Sequence, residues 1–208
     1  MTADILCFVM KIISGLQVRW RGCTPEAKQR VYFANHTSHL DFMALWAALP
    51  RDIRRTVRPV AAKDYWDRGK IKSYLAHKVI RAVLIERQKK VYHHGENHPL
   101  DQMLAALREG ASLIIFPEGT RRDGGEKGPG PFKSGLYHLS REYPQAEYVP
   151  VFLNNLSRIL PKGEFLPVPI IGSAVFGAPL ALPADESKED FLARARQAVA
   201  ELNDESDD

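Results

Sequence analysis

Short apolar runs that stop abruptly at polar side chains limit what this chain can fold into. Val31–Ala34 leads to Asn35, His36 and Asp41; Val79–Ile85 leads to Glu86 and Arg87; Ala111–Phe116 leads to PEGTRR, Pro117 to Arg122. Further strand candidates are Thr56–Ala61, Glu147–Leu153 and Val168–Phe176. Between them the spacing predicts helices over Asp4–Val18, His39–Ala48, Asp64–His77, Leu100–Glu109, Lys133–Glu142 and Lys188–Leu202. Gly110 supplies a helix stop after Glu109. This alternation, without internal repeats, predicts an α/β single domain: a mostly parallel central sheet flanked by helices, preceded by an amphipathic N-terminal helix. Ligands bind beyond the carboxyl ends of parallel strands. If the three runs are parallel neighbours, their polar ends converge on one site.

A chain of 208 residues suits one domain with a substantial core. The expected division is a docking helix within 1–22, a main domain at 23–203 and an acidic tail at 204–208. Net charge is only +4, but it is unevenly spread: Arg51 to Lys90 holds 13 Lys/Arg against 4 Asp/Glu, while Ala184 to Asp208 holds 9 Asp/Glu against 3 Lys/Arg. A basic middle suits an anionic partner or a solvated face. No RNA-binding signature accompanies it, so no nucleic-acid partner is expected. Cys7 and Cys23 have no CxxC or zinc spacing, which fits a reducing compartment. Ile5, Phe8, Val9, Ile12, Ile13 and Leu16 form an apolar stripe at helical spacing, too short to span a bilayer and interrupted by Lys11. Such a helix either packs on the domain or lies in a membrane interface, with Arg19, Trp20 and Arg21 at headgroup level.

The stretch NHTSHLD, Asn35 to Asp41, carries a histidine and an aspartate five residues apart. An imidazole backed by a carboxylate is a general base; the same residues also make an ordinary polar helix start. Five residues turn an ideal helix through about 140°, so the pair works only with His36 in the loop and Asp41 in the first helical turn. Arginine forks match phosphate oxygens, and a Gly-Thr turn offers backbone N–H groups to an anion. Ser38 lacks the Gly-x-Ser-x-Gly elbow of a hydrolase nucleophile, and no P-loop or dinucleotide fingerprint is present. His93, His94 and His98 with Glu96 lie in a polar, solvated-looking loop, and no metal site is expected there.

Together NHTSHLD, RAVLIER (Arg81 to Arg87), FPEGTR (Phe116 to Arg121) and VPV (Val149 to Val151) resemble, in order and rough spacing, the four motifs of the glycerolipid acyltransferases. The resemblance covers roughly Val31 to Val151 and is strongest to 1-acyl-sn-glycerol-3-phosphate (lysophosphatidic acid) acyltransferases. It implies a fatty acyl transfer from an acyl thioester, acyl-CoA or acyl carrier protein, to a phosphate-bearing lysolipid. His36 would be the base and Asp41 its orienting partner. Arg87 would bind the acceptor phosphate, while Glu118, Gly119, Thr120 and Arg121 would line the acceptor site. Pro150 would belong to the acyl side. The resemblance implies no metal, cofactor or covalent enzyme intermediate.

The sequence departs from the family pattern at two points. Arg81 stands where the second motif commonly opens with glycine; a long cation there either adds a phosphate contact or changes the headgroup accepted. Arg122 replaces a small hydroxyl residue after FPEGTR and leads into a Gly/Pro loop before FKSG, Phe132 to Gly135. The resemblance favours membrane docking of the N-terminal helix, giving a peripheral protein on the cytoplasmic side. Other readings are an acyltransferase for glycerol 3-phosphate or another lysolipid, a thioesterase, and a non-catalytic lipid-binding protein on the same scaffold.

Overall fold

The computed structural model describes residues 2–38, 40–66, 69, 73–86, 98–122, 128–156 and 171–203. Its strands are β1 (Gln17–Trp20), β2 (Arg30–Ala34), β3 (Val57–Ala62), β4 (Val83–Ile85), β5 (Ser112–Ile115), β6 (Glu147–Asn154) and β7 (Ser173–Phe176). Its α-helices are α1 (Thr2–Ser14), α2 (Asp41–Ala48), α3 (Arg51–Arg54), α4 (Lys63–Trp66), α5 (Pro99–Arg108), α6 (Gly135–Glu142) and α7 (Lys188–Ala200). The strands form one sheet in the order β1-β7-β6-β2-β5-β3-β4. From β6 to β4 every neighbouring pair is parallel; β7 runs antiparallel to β6 and parallel to β1. The expected α/β architecture with a mostly parallel sheet is the one observed.

The apolar runs are continuous because the central strands are buried on both faces. Successive side chains point to opposite sides. In β2, Tyr32 and Ala34 enter the core under α1 and α2, whereas Val31 and Phe33 enter the core under α5, α6 and α7. In β6, Val149, Val151 and Leu153 join the first core, Tyr148 and Phe152 the second. The register pairs Phe33 with both Ile115 and Pro150, so β2 and β5 end within one residue of each other, while β6 runs three residues past the end of β2, to Asn154. Their carboxyl ends form one rim.

One expected strand is cut short. Only Val83–Ile85 of the run Val79–Ile85 is strand. Before it, Leu75–Val79 winds as a π turn, closed by the Ile80 N–H on the Leu75 carbonyl at 3.0 Å, and Arg81 takes φ +50°. That left-handed conformation breaks an extended run. Of the helix expected over Asp64–His77, the described residues are helical in α4 and at 73–74, where the chain enters the π turn; residues 67, 68 and 70–72 lie outside the described set.

At the N-terminus the helix ends at Ser14, because Gly15 turns the chain with φ +51°, and Gln17 then starts β1 against Ser173. The packed face of α1 is Cys7, Met10 and Ser14, with Ala3 and Ile13 beside them. Ile5, Phe8, Val9 and Ile12 point outward, Phe8 and Ile12 each 65% exposed. Most of the stripe therefore lies off the core. No described helix is both long and apolar enough to cross a membrane.

Candidate active site

His36 leaves the sheet one residue beyond Asn35, which directly follows the end of β2. Asn35 fixes that exit: its side-chain amide donates to the Leu153 carbonyl at 2.9 Å and accepts the Leu153 N–H at 2.8 Å, a buried pair that fastens the loop to β6. Asp41 opens α2, so the histidine stands in the loop and the aspartate in the first turn, the placement that the five-residue spacing required. His36 Nδ1 lies 2.9 Å from Asp41 Oδ2. The same oxygen accepts the Thr37 and Ser38 N–H groups at 2.6 and 2.8 Å. Asp41 is fully buried, and its Oδ1 accepts no hydrogen bond from the described residues. With the carboxylate ionised, the ring proton sits on Nδ1 and the lone pair on Nε2. The His36 side chain is 15% exposed, so a reactant can reach it.

The FPEGTRR segment reaches the same histidine from β5. The Phe116 ring stacks on the imidazole, centroids 4.4 Å apart and planes 23° off parallel. The buried Glu118 accepts the His36 N–H on Oε1 at 2.8 Å and the Gly130 N–H on Oε2 at 3.1 Å. The Arg122 N–H donates to the His36 carbonyl at 2.9 Å. Both backbone groups of the histidine are thus held by the neighbouring motif. A carboxylate acceptor makes such bonds about twice as strong as neutral ones.

Gly119 closes the turn on the Phe116 carbonyl with φ +70°. A Cβ there would sit 2.5 Å from Lys133 Nζ, so the lysine lies directly over the glycine. At Gly130 a Cβ would stand 2.7 Å from Glu118 Oε2, and only glycine admits that carboxylate. Thr120 and Arg121 are exposed on the same segment. Pro150 pairs with Phe33 in the adjoining strand. Arg87 lies outside the described residues, as do His93, His94 and Glu96. His98 caps α5, accepting the Leu100 N–H. Ser38 is committed as well: its hydroxyl accepts the Leu40 N–H at 3.2 Å.

Asn35, Phe116, Gly130 and Lys133 were not singled out as site residues. Asn35 and Phe116 open the recognised motifs NHTSHLD and FPEGTR and could have been found there. Lys133, the cation of FKSG, carries no spacing signal that ties it to Gly119.

The acyltransferase family model matches residues 16–154. The chain belongs to the acyltransferase family. It is 30% identical over 172 residues to a 1-acyl-sn-glycerol-3-phosphate acyltransferase of Limnanthes douglasii, covering 76% of this chain and 53% of that one. It is 28% identical over 165 residues to an enzyme of that name from Saccharomyces cerevisiae, covering 76% and 50%. This acyltransferase chain thus spans about half the length of the curated relatives it matches. Its fold is also that of the crystal structure of the 1-acyl-sn-glycerophosphate (LPA) acyltransferase PlsC from Thermotoga maritima. There the TM-score is 0.69 at 18% identity, over 95% of this chain and 77% of that one.

Proposed function

We propose that this acyltransferase moves a fatty acyl chain from an acyl thioester to the free hydroxyl of a lysophosphatidate-like acceptor. The observation that carries the reading is the His36–Asp41 contact of 2.9 Å, with FPEGTR wrapped around the same histidine. His36 Nε2 takes the proton of the acceptor hydroxyl as its oxygen attacks the thioester carbonyl. Asp41 stabilises the imidazolium. The tetrahedral intermediate collapses with loss of the thiolate, which receives the proton from the imidazolium and leaves as the thiol. No metal and no covalent enzyme intermediate enters. General-base help of this kind is worth about 10²–10⁴-fold, and positioning adds more, since oriented reactants reach effective molarities of roughly 10⁵ M and above.

Arg87, next in sequence after Glu86 at the end of β4, is assigned the acceptor phosphate, with Gly119, Thr120 and Arg121 along its approach. Glu118 serves by holding the His36 loop, since both its oxygens are taken by backbone N–H groups. The donor is acyl-CoA or acyl carrier protein. The exposed apolar residues of α1 support peripheral docking on a membrane surface, assigned to its cytoplasmic side.

The deciding experiment incubates the purified protein and its His36→Ala variant with acyl-CoA, with and without lysophosphatidate, and follows thiol release and lipid product. Phosphatidate made only by the unsubstituted protein supports the reaction and the base together. Thiol released without acceptor points to hydrolysis. Silence with acyl-CoA, acyl carrier protein and a panel including glycerol 3-phosphate and other lysolipids sinks the catalytic reading.

A further inference from the structure

A second concentration of positive charge lies at the other end of the strands. A cleft of about 260 Å³ is lined by Arg51, Arg54, Arg55 and Arg81, together with Asp4 and Trp46. Val57, the first residue of β3, is also in its wall, and Arg81 stands two residues before β4 begins. The cleft is therefore at the amino ends of parallel strands whose carboxyl ends carry the catalytic rim, and β3, six residues long, spans about 17–20 Å between the two. Arg81 is thus on the rim away from His36, which removes the sequence-based expectation that it adds an acceptor contact.

Four guanidinium groups face one carboxylate. Asp4 engages Arg51 at 3.2 Å and Arg54 at 3.1 Å. Arg55 and Arg81 are exposed and have no ion-pair partner among the described residues. Arg54 is buried, its guanidinium 5.3 Å from the centre of the Trp46 ring, and the buried Trp46 indole N–H has no acceptor among the described residues. Arg81 holds φ +50°, a conformation that glycine takes freely and other residues take against steric resistance. A strained backbone that presents to a cleft a cation with no ion-pair partner among the described residues points to a ligand.

The surroundings say which one. Asp4 lines the cleft, and Ile5, the next residue, starts the outward apolar face that continues through Phe8, Val9 and Ile12. At its far end, the Ser14 carbonyl accepts the Gly172 N–H beside the start of β7, level with the carboxyl end of β6. A membrane lying along α1 meets the cationic cleft at one end and the catalytic rim at the other. We propose that this cleft binds the phosphate of an anionic lipid headgroup that is not the substrate, separate from the acceptor site. The lipid source of that phosphate rests on the α1 docking reading; the anion site itself rests on the arginines.

The test is flotation of the purified chain with phosphatidylcholine vesicles, with and without a minor fraction of phosphatidylglycerol. Arg55→Gln/Arg81→Gly should lower affinity for the phosphatidylglycerol vesicles about thirtyfold, with binding to phosphatidylcholine alone unchanged. Glycine at φ +50° relieves strain, and a thermal melt confirms that the variant folds. No loss, or an equal loss from both vesicle types, overturns the proposal. So does calorimetric saturation by inorganic phosphate that the variant abolishes while its vesicle preference stays intact, for the cleft would then serve a soluble anion. A raised KM for detergent-solubilised lysophosphatidate assigns the arginines to the acceptor site and also overturns it. Phe8→Ser/Ile12→Ser isolates the docking reading: if it keeps neutral-vesicle binding, α1 is not the docking element, and the Arg55→Gln/Arg81→Gly result stands or falls separately.

Discussion

His36 and Asp41 act as a pair, but they stand in the structure on different terms, and substitution should separate them. The imidazole is partly exposed and held chiefly through its own backbone, by Glu118 and by the Arg122 N–H. Removing the ring should therefore abolish turnover with little effect on folding. Asp41 is fully buried and organises three partners through one oxygen. In Asp41→Asn, a carbonyl oxygen in the Oδ2 position keeps all three partners but buries the –NH2 group where no described residue accepts from it, and the flipped amide turns that group toward three donors. The expected result is a fall in kcat of about 10²–10⁴-fold together with a loss of stability of about 2 kcal/mol or more. Turnover and thermal melts on both variants check this; an Asp41→Asn protein as stable as the parent would sink the burial argument. At this scale the spacing of His36 and Asp41 left a general-base pair and a polar helix start both open, and it was the resemblance of NHTSHLD to a family motif that singled the two out. The sequence was silent on Glu118 as a clamp, since a carboxylate that holds backbone is written like one that meets a ligand.

At the scale of elements, legibility followed burial. Strands β2, β5 and β6 are covered on both faces, so each reads as an unbroken apolar run and stood out. Strand β1 lies at the sheet edge and is half exposed along its length, with no such run. The helical spacing before it also continues past Gly15, the actual stop. Helix α1 shows a subtler limit. Its apolar residues occupy more than one face, and period alone does not say which face packs. The structure assigns the core side to Cys7 and Met10 and leaves Phe8 and Ile12 outside. Met10→Ala should accordingly cost about 2 kcal/mol or more, whereas Phe8→Ser/Ile12→Ser should change stability by less than about 1 kcal/mol. Chemical denaturation of the two variants measures the contrast. If Phe8→Ser/Ile12→Ser is the more damaging, the helix is packed the other way round.

For the whole molecule, the parallel sheet divides labour between its rims, and Arg30 shows how the rim opposite the catalytic one is secured. This arginine opens β2 and is only 2% exposed. Its guanidinium donates to Glu147 at the start of β6 at 2.8 Å and to the Thr24 carbonyl at 2.7 Å, joining two central strands to the loop that leads from β1. None of this was visible in the sequence, because residues 24, 30 and 147 meet only after the sheet has formed. Burial pushes the Glu147 carboxyl up, but hydrogen bonds from Arg30 and Lys28 and their charges outweigh it, and its pKa is held below the ordinary value. A carboxylate with a depressed folded-state pKa adds stability that is fully present above its unfolded value and is lost as pH falls through the folded one. Glu147→Gln should therefore destabilise by about 1–2 kcal/mol near neutrality, since the buried guanidinium loses its counter-charge while keeping a hydrogen-bond acceptor. The gap between parent and variant should hold down to the ordinary carboxylate value of 4.5 and close below it, as Glu147 is protonated in the parent. Thermal melts across that range provide the measurement. A gap independent of pH would assign the effect to packing, and one that widened in acid would reverse the sign of the ion pair's contribution.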